Sequence, residues 1–310
     1  MKKNNDDIVV RYIKTKSKTR KIISYIDDDC DLKKYHRKIN LFLQKRYIPS
    51  IFSKGYVKGR SIYDNAKAHL YNDFFIKLDI KNFFPNICHK QLAEKLHYEI
   101  NKLDQDYSQI SMNECLEIVE ACSINSRGIP LGFITSPILS NIYLNEFDGM
   151  FYGYLKKMNL KNVIYTRYAD DITVSYKCDK DSDNENVNSA IIHEADKLLS
   201  RYGLHLNNHK TKTYSLYISN HVKITGVNIV KENNNYRRLS VGKKIKNSLY
   251  WDAINCLSDY TSEKAQEIKG VQSFILSIEK TGYENCFSAD MKKYIHDLGF
   301  KSLKELIDSL

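Results

Sequence analysis

The feature that most constrains this chain is a pair of adjacent aspartates, Asp170 and Asp171, in Tyr168-Ala169-Asp170-Asp171. Val163-Ile164-Tyr165-Thr166-Arg167 leads in and Ile172-Thr173-Val174-Ser175-Tyr176 leads out, and this apolar/polar alternation predicts a β-hairpin with the acids at its turn. Two carboxylates side by side repel, so packing gives no reason to place them together, whereas a cation between them does. A second strand, Phe74-Phe75-Ile76-Lys77-Leu78-Asp79-Ile80, ends in another acid and runs into Lys81-Asn82-Phe83-Phe84-Pro85. Mg²⁺ is a hard ion that takes oxygen ligands and keeps several waters, so a few carboxylates plus substrate phosphates hold it. Two such ions, roughly 4 Å apart, stabilise the attacking and leaving oxygens of an in-line phosphoryl displacement. Asp79, Asp170 and Asp171 are therefore the expected metal triad. Each fragment also has an ordinary reading: Asp27-Asp28-Asp29 is expected to be a solvated turn, and acids often begin turns or cap helices. Order separates the two readings: strand, acid and two aromatics, then a Gly/Pro loop and helix, then the acidic hairpin, then a Lys-rich strand.

In that order the chain resembles a reverse transcriptase, and more narrowly the retron reverse transcriptases of bacteria, over about residues 15 to 280. Leu78-Asp79-Ile80-Lys81-Asn82-Phe83-Phe84-Pro85 resembles the first palm motif of that family and Gly128-Ile129-Pro130-Leu131-Gly132-Phe133-Ile134-Thr135-Ser136-Pro137 the second. Tyr168-Ala169-Asp170-Asp171 resembles the third, and Gly203-Leu204-His205-Leu206-Asn207-Asn208-His209-Lys210-Thr211 the fourth. Two segments narrow the likeness to retron enzymes: Asn65-Ala66-Lys67-Ala68-His69, and Ile224-Thr225-Gly226 in place of a Val-Thr-Gly. His69 also reads as a hydrogen-bonded histidine near a helix end, which is compatible with an RNA contact.

The resemblance implies site roles. Two Mg²⁺ ions, with Mn²⁺ as a substitute, would be held by Asp79, Asp170, Asp171 and the Ile80 carbonyl. Lys210 would protonate or electrostatically stabilise the departing pyrophosphate. Phe84 occupies the steric-gate position, where a ring beneath the sugar leaves no room for a 2′-OH. Arg20 aligns with the fingers arginine that grips phosphate, with Lys18 beside it, and guanidinium geometry favours bidentate contact. Leu131 and Gly132 would line the nucleotide site. Leu131 is a departure, because the family usually has Gln there and an apolar side chain cannot donate its hydrogen bond. Asn65, His69, Thr225, Gly226, Lys243 and Lys244 are the candidate RNA contacts.

Composition agrees. Forty-eight Lys and Arg against thirty-seven Asp and Glu give a net charge of +11 and a pI near 9.1, which suits a polyanionic partner. The twenty-three tyrosines suit stacking on unpaired bases, although core and surface packing is expected to explain most of them. The seven cysteines are odd in number and lack Cys-x-x-Cys spacing, which predicts reduced thiols and no zinc site. No N-terminal targeting signal and no membrane-spanning apolar run is visible, so a cytoplasmic protein without a membrane partner is expected.

The expected fold class is α+β: a right-hand polymerase with fingers over residues 1–70, a palm over 71–235 that includes some fingers elements, and a helical thumb over 236–310. The palm combines an antiparallel sheet with helices on one face. Helices are predicted near 32–46, 90–100, 111–124 and 137–157, and a polar surface loop over 179–187. Strands near 212–218, 222–230 and 236–241 are expected to finish the palm sheet. Pro137 suits the first turn of its helix. Lys243-Lys244-Ile245-Lys246 opens a thumb helix, and 268–278 belongs to a second. The retron resemblance further implies a cognate structured noncoding RNA, dNTPs, priming from a 2′-OH of an internal guanosine, and a branched RNA–DNA product (msDNA). It also implies antiphage defence with a separately encoded effector protein. A diversity-generating or abortive-infection reverse transcriptase shares the aspartates without the two retron segments, and a noncatalytic RNA-binding scaffold would tolerate their loss.

Overall fold

The computed structural model describes residues 7–14, 19–102, 108–178, 184–280 and 282–310. In chain order they form β1 (Ile8–Lys14), β2 (Thr19–Tyr25), α1 (Asp31–Arg46), α2 (Ile62–Ala68), β3 (Phe74–Asp79), α3 (Phe83–Asn86), α4 (His89–Ile100) and α5 (Met112–Ala121). There follow α6 (Ser136–Tyr143), α7 (Asn145–Lys157), β4 (Lys161–Tyr168), β5 (Asp171–Lys177), α8 (Glu185–Ser200) and β6 (Lys212–Ser215). The last elements are β7 (His221–Ile224), β8 (Val227–Lys231), β9 (Arg237–Ser240), α9 (Lys243–Ser258), α10 (Ser262–Ile278), α11 (Ala289–Asp297) and α12 (Leu303–Ser309). Helices and antiparallel pairings together make the chain α+β. No helix among the described residues is long and apolar enough to cross a membrane. The seven cysteines are free thiols.

Two compact units arise: residues up to Ser61 with Asn72–Tyr214, and Ile62–Tyr71 with Ser215–Leu310. The first holds a four-stranded sheet in the order β4-β5-β3-β6. Every residue of β3 except Lys77 is buried, as a central strand with both faces covered requires. The core joins Ile76 and Leu78 of β3 to Leu92 and Leu96 of α4, Phe147 and Phe151 of α7, and Leu198 and Leu199 of α8. Helix α5 begins where Ser111 caps the Glu114 N–H while the Glu114 carboxylate accepts from the Ser111 N–H, a reciprocal pair that fixes the start. Pro137 lies in the first turn of α6, as its missing N–H favours.

The second unit contains a separate three-stranded sheet, β7-β8-β9, with α2 against it and α10 against β9, while α9, α11 and α12 pack with α10 in a helical group. This corrects the expectation that these strands extend the palm sheet and that 222–230 is one strand. Ile224 pairs with Val227, leaving Thr225 and Gly226 as a two-residue turn with φ of 44° and 93°. Two positive φ values in succession are what a tight twisted hairpin demands, so the chain reverses there. Two other expectations change. The helix expected over 137–157 is broken at Leu144 into α6 and α7, and Asn145, just past the break, accepts from Tyr47 Oη and Ser50 N and donates to Glu99. Glu185–Val187 belong to α8 rather than to a loop, and Asn188 in its first turn accepts from the buried Tyr176 hydroxyl. Residues 179–183 of that expected loop lie outside the described residues.

Candidate active site

Strand register brings the three aspartates together. β3 and β5 pair antiparallel with Asp79 directly opposite Asp171, a relation that sets Cα atoms about 4.5–5.5 Å apart. Tyr168 pairs with Asp171, so Ala169 and Asp170 form the two-residue tip, with Ala169 at φ 56°. The Ile80 N–H donates to the Asp170 carbonyl at 3.1 Å, tying the end of β3 to the tip. On the other side of β3, Ile80 bridges Leu206 through bonds that flank it: Lys81 N to His205 O at 2.9 Å and Asn207 N to Asp79 O at 2.8 Å. The Ile80 carbonyl takes no hydrogen bond among the described residues.

Asp79 is buried, and both its carboxylate oxygens are engaged: Lys210 Nζ lies 2.5 Å from Oδ1 and Asn207 Nδ2 lies 3.2 Å from Oδ2. Asn207 was given no role from the sequence, although it lies in the Gly203–Thr211 motif that carries Lys210. Asp171 stands differently. Burial first, then the Asp170 and Asp79 charges, push its carboxyl up to about 6, against the pull of Lys77 and Lys210. Part of Asp171 is open to solvent, which screens those charges.

These groups suit a hard cation. The Asp79, Asp170 and Asp171 carboxylates and the Ile80 carbonyl, which takes no hydrogen bond among the described residues, could supply an all-oxygen donor set, and a cation would relieve the Asp170 and Asp79 charges that add to burial in raising Asp171. Among the described residues no three acidic, histidine or cysteine side chains are already gathered as a metal site. Lys210 and Asn207 occupy the Asp79 oxygens in their place.

The hairpin is held from behind by a buried ion pair that the sequence did not reveal. Arg167 Nε and Nη2 reach the two Asp148 oxygens at 2.7 and 2.8 Å with both side chains fully buried, and Tyr165 Oη donates to Asp148 Oδ1 at 2.6 Å. Arg167 Nη1 also reaches Asn141 Oδ1 at 3.1 Å, and Asn141 Nδ2 donates to Gly55 O at 2.9 Å. Ser53 lies beside Arg167 as a parallel bridge, so residues 52–55 clasp the approach to the tip. Tyr56 follows at φ 61°, its ring centroid 6.3 Å from that of Tyr168, and burial followed by the Asp170 charge raises its phenol above the ordinary value.

Among the expected substrate residues, Phe84 is buried in α3 and its carbonyl accepts from Ile129 N at 3.0 Å, joining the first motif to the second. Leu131 is half-exposed. Gly132 has φ 127°, and a Cβ there would stand 2.6 Å from the Ile23 carbonyl, so only glycine allows this loop to lie against β2. Tyr25 extends that contact: its hydroxyl accepts from Ile134 N at 3.1 Å and its ring stacks on Phe133 at 5.0 Å. Arg20 is in β2 opposite Ile13, and Lys18 lies outside the described residues.

The expected RNA contacts fall in the second unit. Asn65 and His69 are buried at 1% and 0% exposure, and Asn65 Nδ2 reaches Thr225 Oγ1 at 2.5 Å, pinning α2 to the β7–β8 turn at Thr225-Gly226. Lys243 and Lys244 are exposed at the start of α9.

A family model described as "Reverse transcriptase (RNA-dependent DNA polymerase)" matches residues 2–229, and the chain belongs to that family. Within it the chain is similar to retron enzymes, among them three of Escherichia coli. The retron Ec73 reverse transcriptase is 34% identical over 125 residues, 39% of this chain and 38% of that protein. The Ec83 enzyme is 30% identical over 195 residues, 62% and 57%, and the Ec86 enzyme 26% over 239 residues, 76% and 65%. The chain thus spans less than two thirds of the length of these curated relatives. Apo telomerase from Candida tropicalis, truncated from its C-terminal domain, shares the fold at TM-score 0.51 and 16% identity, covering 73% of this chain and 53% of that one. The same telomerase with a TWJ fragment of telomeric RNA also gives 0.51, at 13% identity, covering 97% and 58%.

Proposed function

We propose that this chain is the reverse transcriptase of a retron, an RNA-directed DNA polymerase that copies a cognate structured noncoding RNA. The observation that carries the reading is the pairing of Asp79 with Asp171 beside the Asp170 tip. Asp79, Asp170, Asp171 and the Ile80 carbonyl would hold Mg²⁺, or Mn²⁺ in its place, and the metal would supply positive charge to the attacking and leaving oxygens. The chain's own residues do the rest. A primer hydroxyl loses its proton to solvent and its oxygen forms a bond to the α-phosphorus as the bond from that phosphorus to the α,β-bridging oxygen breaks, releasing pyrophosphate. Lys210 keeps a proton at Nζ for the departing pyrophosphate. Arg20 and Lys18 hold the triphosphate, Gly132 keeps the loop under β2 close to it, and Leu131 leaves sugar contact to backbone and packing. Phe84 excludes a 2′-OH by occupying its space.

In this reading residues 1–70 act as fingers, 71–235 as palm and 236–310 as thumb. Asn65, His69, Thr225 and Gly226 shape an RNA-binding surface, and Lys243 and Lys244 touch phosphate. Similarity to retron enzymes supports priming from a guanosine 2′-OH, a branched RNA–DNA product, cytoplasmic antiphage defence, and a separate effector protein. The test is to sequence nucleic acid that copurifies with the wild type and with Asp170→Asn/Asp171→Asn. A short DNA joined to RNA by a 2′,5′ bond is expected from the wild type, and the same RNA without DNA from the variant. Cellular function unchanged in the variant would sink the polymerase reading.

A further inference from the structure

The second unit carries a groove of about 780 Å³, within the size range of ligand sites (~300–1,000 Å³). Its two acids are already neutralised. Glu279 meets buried Lys246 at 3.0 Å and accepts from Ser240 Oγ and Val241 N, while Glu232 pairs with Arg238 at 2.7 Å. The remaining charge is positive. Lys67 and Lys280 both stand over the Tyr63 ring, their Nζ atoms 5.6 and 4.9 Å from its centroid. Neither they nor Lys243 pair with a carboxylate among the described residues. Two ammonium groups sharing one ring repel each other, and an anion between them removes the repulsion. Lys243 opens α9, whose first turn holds no acid and whose cap residue, Gly242, offers no side-chain acceptor. Tyr71 and Tyr236 on the same groove are 66% and 58% exposed, a large aromatic area to leave in water.

Resting on the reading that this chain carries RNA, we infer that the groove binds an unpaired stretch of polynucleotide. Phosphates lie on Lys67, Lys280 and Lys243, and bases stack on Tyr71 and Tyr236. Free ring faces favour this over a duplex, since paired bases offer no face to a tyrosine and A-form helices are gripped through shape, phosphate and 2′-OH. The signature contact from Asn65 to Thr225 then has an indirect purpose: it fixes α2, which presents Tyr63 and Lys67 to the groove.

Anisotropy titrations of the full chain, stripped of nucleic acid, against labelled single-stranded RNA and DNA oligonucleotides over a salt series test this. Lys67→Gln/Lys280→Gln should weaken binding and lower the log–log salt slope by about 1.4, near 0.7 for each lost phosphate contact. Lys67→Arg/Lys280→Arg should restore the slope. Tyr236→Ala should weaken binding roughly tenfold with the slope unchanged. All three sites are exposed, and thermal melts confirm folding. Tighter RNA assigns the groove to the template strand and tighter DNA to the product, and either supports it. Wild-type affinity and slope in both the charge and the tyrosine variants overturn it, as does an equal loss for a fully paired RNA hairpin. Extension of oligo(dT) on poly(rA) by the wild type reports on the polymerase reading separately: extension with unaffected variants removes only the groove, and absent extension with the expected losses removes only the polymerase.

Discussion

Asp171 is the residue whose chemistry is most exposed to pH. Its carboxyl, raised to about 6 from an ordinary 3.8, binds a proton more tightly in the folded than in the unfolded chain. Carrying the charge therefore costs stability above about pH 6, and that cost is relieved as pH falls from 6 toward 4. Asp171→Asn is expected to raise the melting temperature at neutral pH, to lose that advantage near pH 4, and to abolish extension; thermal melts across this range read the sign. Extension by the wild type should decline below about pH 6 as protons compete with the metal, and more Mg²⁺ should move the midpoint down. Lys210 makes a second case at this scale. As the ammonium on Asp79 Oδ1, it is expected to serve pyrophosphate departure once that carboxylate takes a metal. Lys210→Met should lower kcat by about 10²–10⁴-fold with little change in KM for dNTP, and Lys210→Arg should recover part of it. An unchanged kcat for the methionine variant would remove Lys210 from the reaction.

Between elements, the acidic hairpin is tied to α7 through Arg167 of β4. The Arg167–Asp148 pair has no solvent to fall back on, so removing one partner leaves an uncompensated buried charge. Asp148→Asn is expected to cost about 3–5 kcal/mol, measured by denaturant unfolding, and to reduce extension through displacement of the tip. Arg167→Met/Asp148→Leu should cost clearly less than the single change, because no charge remains buried. A double variant as unstable as Asp148→Asn would show that shape rather than charge sets the penalty. The α6–α7 break belongs at this scale too. Apolar periodicity runs through Leu144 without interruption, and the reason for stopping is the set of bonds that Asn145 makes to Tyr47, Ser50 and Glu99, residues distant in sequence.

At the scale of the whole molecule, a ten-residue segment, Ile62–Tyr71, is built into the unit formed by Ser215–Leu310. Residues 215–310 alone should therefore expose the sheet surface that α2 covers, and melt at lower temperature or bind a hydrophobic dye. The same fragment with 62–71 fused through a flexible linker should melt higher, and equal melting of the two would show that α2 adds nothing. The sequence by itself determined the acidic hairpin, the strand ending in Asp79, and helices α1, α4, α5, α9 and α10, because a period of two or of 3.6 and the residues at turns are local properties. It also determined which motifs belong to a polymerase, since their order survives without coordinates. Tertiary structure alone decided that Asp79 faces Asp171, that Lys210 and Asn207 share its carboxylate, and that Arg167 finds Asp148. Each depends on register or on partners 19 to 131 residues apart. Only the fold, likewise, separated β7–β9 from the four-stranded sheet that carries Asp79 and Asp171, because strand propensity says that a segment is extended and nothing about which edge it joins.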